Sequence, residues 1–294
     1  MELVRRLGRG HIGVIGLLVG LVIGSCTTGG GTTTGGASSG NGILLSPTLA
    51  QIKSSGEMRD CIDPEFPPES FLDKSGNPTG LDIDLATAMA KALNVKITFV
   101  KTDFPGLLAG VQSGKCDIQW SGTTPRAKRA LVTSFAKDTL VAIVGMLVRA
   151  NESRTTIATL NVSGVKFCNQ EGTLSQTAQE TYFPKATATN LAGADQCVLD
   201  VLSGRADATI VDSTSALGYS EAHPNQLKAV LFDNGGLGAA PTAPSVALGD
   251  FGFTAFIDVW FREFVDNGNY APLYQKYFHT LPDIQQLLIQ RGGL

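Results

Sequence analysis

The sequence predicts an α/β protein of two lobes, each a mostly parallel sheet flanked by helices, joined by two extended segments. Three observations carry this expectation. Between residues 81 and 121, β-branched runs alternate with amphipathic ones; the same alternation resumes from 165 to 212; and a long apolar stretch, "TLVAIVGMLV" (139–148), separates the two. Alternation of this kind builds βαβ units with helices on both faces of a sheet.

The elements follow in order. "LDIDLATAMAKAL" (81–93) places Leu81, Leu85, Met89 and Leu93 four apart, with Ala86 and Ala90 on the same face, which is an amphipathic helix. "VKITFV" (95–100) alternates as a strand, and "FPGLLAGVQSG" (104–114) is a short helix closed by glycine. "CDIQWS" (116–121) is another strand, on which Trp120 is expected to face a helix. In the second unit, "VKFCNQ" (165–170) is a strand, followed by Gly172 and a polar helix start. "CVLDVLSG" (197–204) is a helix, "ADATIVD" (206–212) a strand ending on an acid, and "APSVAL" (243–248) a further strand. From Thr254 the tail is helical. Two such units imply a cleft, and ligands of open α/β sheets bind beyond the carboxyl ends of the strands.

The N-terminus has its own signature. "MELVRRLGRGH" is positively charged, and "IGVIGLLVGLVIG" (12–24) is apolar over the length of a signal peptide but short for a membrane span. Ile23-Gly24-Ser25-Cys26 resembles the lipobox of bacterial lipoproteins. That implies a signal peptide over 1–25 and Cys26 as the lipid-modified first residue. Residues 26–42 are rich in Gly, Thr and Ser and read as a flexible tether, so folding begins near Ile43.

Charge and composition exclude some functions. The chain carries −3 overall; without residues 1–25 it keeps 20 basic and 25 acidic residues, a charge of −5. Binding nucleic acid needs a clustered positive face, so nucleic acid is not an expected partner. The histidines, His11, His223 and His279, show no metal-ligand spacing and give no cysteine a catalytic partner. No metal or cofactor is expected.

Residues 58–285 resemble the solute-binding proteins that deliver polar amino acids to ABC importers. The blocks that carry the resemblance, in the family's order, are "DPEFPPESFLDKSGNPTGLDIDLA" (63–86), "DFPGLLAGVQSGKCDIQWSGTTPRAKRA" (103–130), "QEGTLSQ", "GRADATIVD" and "FVDNGNYAPLYQKYF". The resemblance implies a type II periplasmic-binding-protein fold. Lobe 1 would comprise residues 43–142 and 246–294, and lobe 2 residues 143–245, with hinge segments near 139–145 and 242–248.

Ligand roles are carried over position by position. A free amino acid offers a carboxylate and an ammonium; the carboxylate calls for a bidentate donor and backbone N–H groups. The stretch Ser121-Gly122-Thr123-Thr124 with an arginine behind it supplies these. The family's carboxylate-binding arginine falls on Arg129, which leaves Arg126 and Lys128 as solvated helix charges. Thr124 would serve the same carboxylate, and the Gly122 carbonyl the ammonium. Asp212 matches the ammonium-binding acid, although it also stands where an N-cap for "STSALG" would. Gly172, Thr173, Leu174 and Ser175 match a turn facing the carboxylate from lobe 2. A hydroxyl residue is usual where Leu174 falls, so either Ser175 replaces it or that contact is lost. Phe66 and Phe104 match aromatics flanking the ligand side chain, with core packing as the alternative. Asp63 matches an acid that meets polar or cationic side chains. Glu69 stands where the family is apolar; it either joins Asp63 in a negative side-chain end or faces solvent.

Cysteines Cys61, Cys116, Cys168 and Cys197 of an exported chain allow three disulfide connectivities. The lobe division favours Cys168–Cys197 and Cys61–Cys116, each within one lobe; free buried cysteines are the alternative for the second pair. The expected function is binding of a free L-amino acid, polar or cationic, by a monomeric non-enzyme. It would serve an ABC permease and ATPase complex, anchored through Cys26 to the outer face of the cell membrane, or to its periplasmic side in a two-membrane host. A prephenate- or arogenate-type dehydratase on the same scaffold, with Glu69 or Glu171 as general acid, and a non-transport sensor are the alternatives.

Overall fold

The computed structural model describes residues 46–232 and 237–279. The signal peptide, Cys26 and the tether lie outside those residues. The chain enters as helix α1 (Pro47–Ser55) and strand β1 (Glu57–Ile62), then forms a small antiparallel sheet of β2 (Glu65–Phe66), β3 (Ser70–Leu72) and β4 (Pro78–Thr79). Helix α2 (Leu81–Ala92), β5 (Lys96–Lys101), α3 (Phe104–Gln112), β6 (Ile118–Gln119), the short α4 (Ala127–Ala130) and β7 (Thr133–Phe135) follow. The second lobe holds β8 (Val144–Arg149), α5 (Ile157–Leu160), β9 (Lys166–Gln170), α6 (Leu174–Tyr182) and β10 (Thr187–Leu191). It continues with α7 (Ala194–Ser203), β11 (Ala208–Asp212), α8 (Ser213–Ala222) and β12 (Leu227–Leu231). The chain returns to the first lobe as β13 (Ser245–Ala247), α9 (Phe251–Asp266) and α10 (Tyr270–Phe278).

Each lobe centres on a five-stranded sheet, in the orders β5-β1-β6-β13-β7 and β10-β9-β11-β8-β12. The sheets are mixed. Strands linked by helices pair in parallel, β5 with β1 and β1 with β6 in one lobe, β10 with β9 and β9 with β11 in the other. The strands entering from the opposite lobe, β13 and β8, pair antiparallel on both sides. Their direction is set by the crossing and not by a helical return.

Packing explains why the periodic segments fold as they do. Leu81, Leu85, Ala86 and Met89 of α2 are buried in one core with residues of α9, and Trp120 packs edge-on to Trp260 at 6.1 Å between ring centroids. Trp120 faces a helix, as expected. In the second lobe Phe167 and Phe183 meet at 4.8 Å over the β9 face. The disulfides Cys61–Cys116 and Cys168–Cys197 each join a strand to a neighbouring segment of the same lobe.

Two crossing segments, 136–144 and 237–244, connect the lobes. They pair with each other: the Thr139 N–H donates to the Thr242 carbonyl at 2.8 Å, the Ala240 N–H to Ala142 at 2.8 Å and the Val144 N–H to Gly238 at 2.9 Å. The second crossing lies a few residues before the expected 242–248, because Ser245–Ala247 already pairs with β6 and β7 inside the first sheet.

Gly80, which opens α2, lies at φ +130°, and a Cβ there would come within 2.1 Å of the Glu69 carbonyl oxygen. Gly76 also has positive φ, but nothing stands within 4 Å of its Cβ position. We expect Gly80→Ala to destabilise by about 3 kcal/mol or more, from strain plus collision, and Gly76→Ala by roughly 1–2 kcal/mol, from strain alone. Thermal denaturation of the two variants checks this, and equal losses would refute the collision argument.

Candidate functional site

The loop after β6 is fixed before it meets anything. The Ser121 hydroxyl accepts from the Asp63 N–H and donates to the Asp63 carbonyl, both at 3.0 Å. The Gly122 N–H donates to Asp82 at 2.8 Å, the Thr123 hydroxyl to Gln119 at 2.8 Å, and the Ala243 N–H to the Thr123 carbonyl at 3.0 Å. Ser121 and Thr123 are therefore buried struts. Gly122 and Thr124 line the cleft between the lobes.

That cleft encloses about 580 Å³ of atom-free space, mouth included. Phe66, Phe104, Gly122, Thr124 and Arg129 form its first-lobe wall. Gln170, Thr173, Leu174, Ser175, Ala194 and Asp212 face them, and Ala240 and Thr242 of the crossing segment close the floor. Phe66 and Phe104 lie 5.6 Å apart, and the Arg129 guanidinium stands 5.0 Å from the centre of the Phe104 ring.

Arg129 donates to the Thr124 carbonyl at 2.7 Å and, across the cleft, to the Gly172 carbonyl at 3.0 Å. Burial, with Arg126 nearby, lowers its pKa to about 10, so it stays charged at neutral pH. Among the described residues it has no ion-pair partner. Arg126 and Lys128 are exposed, as expected. Gly172 reaches the site only through its carbonyl, held at φ +73°. Helix α6 opens onto the cleft with Thr173, Leu174 and Ser175; the first N–H groups of a helix lack intrahelical acceptors, and of these the Ser175 N–H donates to the Thr173 hydroxyl at 3.1 Å. The Ser175 hydroxyl donates to the Ile210 carbonyl, so it does not replace the hydroxyl missing at Leu174.

At the opposite end the charge is negative. Asp212 ends β11, lines the cleft and caps α8, accepting from the Ser215 N–H at 2.8 Å and the Ser215 hydroxyl at 2.9 Å. Asp212 is therefore the N-cap that one sequence reading made it, and it also lines the cleft. Glu69 is fully buried, and the Thr214 hydroxyl lies in hydrogen-bond contact with both Glu69 and Asp212. Burial, then Asp212 and Asp82, push the Glu69 carboxyl well above its ordinary range. Burial raises Asp82 to about 7.

This corrects the pairing of Glu69 with Asp63: the β2–β3 hairpin turns Glu69 toward Asp212 and Asp82, and it does not face solvent. Asp63 sits apart, 2% exposed, accepting from Gln170 Nε2 at 3.0 Å. Burial, then Glu65, raises Asp63 to about 7. Gln170 Nε2 also donates to the Ala192 carbonyl at 3.1 Å, which fixes the orientation of the amide and leaves Oε1 without a protein partner among the described residues. Glu171, the other acid considered, is exposed.

Sequence reasoning missed Gln170, Asp82 and Thr214. Gln170 ends a strand at the carboxyl edge, where ligands of such sheets sit. Asp82 stands three and four residues before Leu85 and Ala86, on the buried helix face, and could have been read there. Thr214 left no signal beyond its nearness to Asp212. Among the described residues there is no cluster fit for a metal and no helix long and apolar enough to cross a membrane.

Comparison with known proteins gives one answer. The family model for bacterial extracellular solute-binding proteins, family 3, matches residues 48–280. A histidine-binding periplasmic protein of Salmonella typhimurium is 27% identical over 242 residues, 79% of this chain and 92% of its own. A probable amino-acid ABC transporter-binding protein of Haemophilus influenzae is 28% identical over 58% of this chain, and the match spans 65% of that relative's length. The crystal structure of an ancestral amino-acid-binding protein, a precursor of cyclohexadienyl dehydratase, superposes with a TM-score of 0.73 at 33% identity. The match covers 79% of this chain and 99% of that one.

Acids whose folded pKa is raised bind protons that the unfolded chain has released, so they stabilise at low pH and lose that contribution as pH climbs to the folded value. With Asp63 and Asp82 both near 7, the ligand-free protein should lose on the order of 2 kcal/mol or more between about pH 4.5 and pH 8. Asp63→Asn should flatten part of that slope in thermal melts. A wild-type melting temperature that rises over this range would contradict the assignment.

Proposed function

The chain belongs to the bacterial extracellular solute-binding proteins of family 3, and on that premise we propose that it is the substrate-binding lipoprotein of an ABC amino-acid importer. Its ligand is a free L-amino acid, polar or cationic. One observation carries this reading: a partly buried cation, Arg129, and a partly buried acid, Asp212, with Glu69 buried beside it, stand at the two ends of one cleft with no ion pair to any described residue. Unpaired desolvated charges are costly. A zwitterion compensates both ends at once.

In this reading the α-carboxylate meets Arg129, Thr124 and the first N–H groups of α6, and the ammonium meets Asp212 and the Gly122 carbonyl. The side chain passes between Phe66 and Phe104 toward Gln170, whose oriented carbonyl asks for a donor and whose amide carries the field of Asp63. Arg129 and Thr124 belong to one lobe, Asp212 and α6 to the other. The ligand therefore makes contacts in the closed state that an open state lacks, and that differential affinity drives closure about the paired crossing segments. The lipid on Cys26 and the tether keep the protein near a permease and ATPase complex.

Protein stripped of ligand by unfolding and refolding, titrated calorimetrically with the common amino acids, tests the proposal. Arg129→Ala should cost about 2–5 kcal/mol of binding, roughly 30- to several thousand-fold in Kd, while Arg126→Ala stays within tenfold. Failure to bind any amino acid would overturn the reading; a strong preference for glutamate or aspartate would overturn the side-chain assignment.

A further inference from the structure

The negative end of the cleft holds more acid than one ammonium requires, and its hydrogen bonds count the protons. The Thr214 hydroxyl contacts both Glu69 Oε1 and Asp212 Oδ1. A hydroxyl carries one hydrogen, so it makes one full linear bond, or shares that hydrogen more weakly between the two carboxylates. A proton on one carboxyl, donated to the Thr214 oxygen, gives both contacts a hydrogen of their own. Both Asp212 oxygens already accept from Ser215, whereas one Glu69 oxygen accepts from nothing among the described residues, so ionised Asp212 is the better compensated of the two and Glu69 is the one to hold the proton. Glu69 is fully buried, and its Oε2 has no protein partner among the described residues.

The charges around Glu69 support that placement. Asp212 faces it from the start of α8 and Asp82 from the first turn of α2, with Asp60 of β1 buried behind Asp82. Arg129 is the cation on the cleft wall, and it is engaged with the Thr124 and Gly172 carbonyls. No described cation forms an ion pair with any of these four acids. The Gly122 Cβ position lies 3.4 Å from Glu69 Oε2, so the unpartnered oxygen sits against the cleft-lining loop.

We infer that Glu69 is a proton-exchanging member of the ammonium subsite: the proton it holds in the free protein leaves when a ligand ammonium settles between Glu69, Asp212 and Gly122. This rests on the amino-acid-binding reading. The Glu69 O–H bond breaks, the proton passes to solvent, and an ammonium N–H takes over the carboxylate. One cation replaces another beside the same buried charge, so the two compete. Affinity rises with pH through the window between the ligand-bound and ligand-free pKa of Glu69, and levels off above it. Within that window one exchanged proton corresponds to roughly tenfold in Kd per pH unit.

The test is titration calorimetry with L-glutamine and L-arginine at several pH values between about 5.5 and 7.5, in buffers of different ionisation enthalpy. The wild type should show heats that depend on buffer, reporting proton release, and a Kd that falls as pH rises. Glu69→Gln should lose most of the buffer dependence and most of the pH slope, binding near the weak, low-pH level of the wild type, with only what Asp63 and Asp82 contribute left in both proteins. Difference infrared spectroscopy of the wild type should show a protonated-carboxyl band lost on ligand addition, a readout that stands if the variant fails to fold. Tight binding with buffer-independent heats and no lost band overturns this inference alone. Absence of any amino-acid binding overturns the functional reading beneath it.

Discussion

The cleft depends on one short loop being held rigid by groups that do not themselves use its cleft-facing surface. Ser121, Gly122 and Thr123 are tied to the Asp63 backbone, to Asp82, to Gln119 and to Ala243. These ties come from β1, α2, β6 and the crossing segment, so the loop cannot shift without disturbing the whole first lobe. A donor array fixed in advance gives up little conformational freedom when it meets a ligand. Arg129 gains from the same arrangement, since its bond to the Thr124 carbonyl orients the guanidinium over Phe104.

The lobes meet across the cleft through polar contacts. Arg129 reaches the Gly172 carbonyl, Gln170 reaches Asp63, Thr214 reaches Glu69, and the Asp195 N–H reaches Glu65 at 3.1 Å. Each of these groups finds water when the lobes part, so such contacts weigh little on the open–closed balance compared with a sealed apolar seam. The crossing segments are different. Their paired backbone bonds and the Tyr270 hydroxyl on the Thr139 carbonyl at 3.0 Å hold the pivot in place. Rigid lobes, a paired pivot and a polar mouth are the ingredients of a hinge biased by its ligand.

What the sequence made legible followed burial. Helix α2 was readable because Leu81, Leu85 and Met89 repeat on a buried face, and strand β9 because Phe167 and Cys168 are apolar and all of it after Lys166 is enclosed. Helix α1 was not, since Ile52 is its only buried residue. Strand β10 was not, since it is an exposed edge strand with nothing to alternate. The start of α7 at Ala194, before the expected 197, follows Gly193, an N-cap with no side chain to announce it. In the site, Arg129, Thr124, Phe66, Phe104 and Asp212 all line one cleft, whereas Asp63, Ser121 and Thr123 stand behind it. Spacing finds residues near a strand end; it does not say which of them face inward.

Glu69 shows why that distinction matters for specificity. Placed beside Asp63, it would make the side-chain end doubly acidic and argue for a strongly cationic ligand. On the proposed reading, its position beside Asp212 and Asp82 moves that charge to the end common to every amino acid, where it cannot discriminate between side chains. Selection then falls to Gln170 and Asp63, an oriented amide backed by one buried acid. An amide carbonyl accepts from a neutral amide N–H as readily as from a cation, and hydrogen bonds to it keep part of their strength without a full charge. On that reading the cleft would rank ligands by whether the side chain carries a donor at the right reach, and by net charge only second.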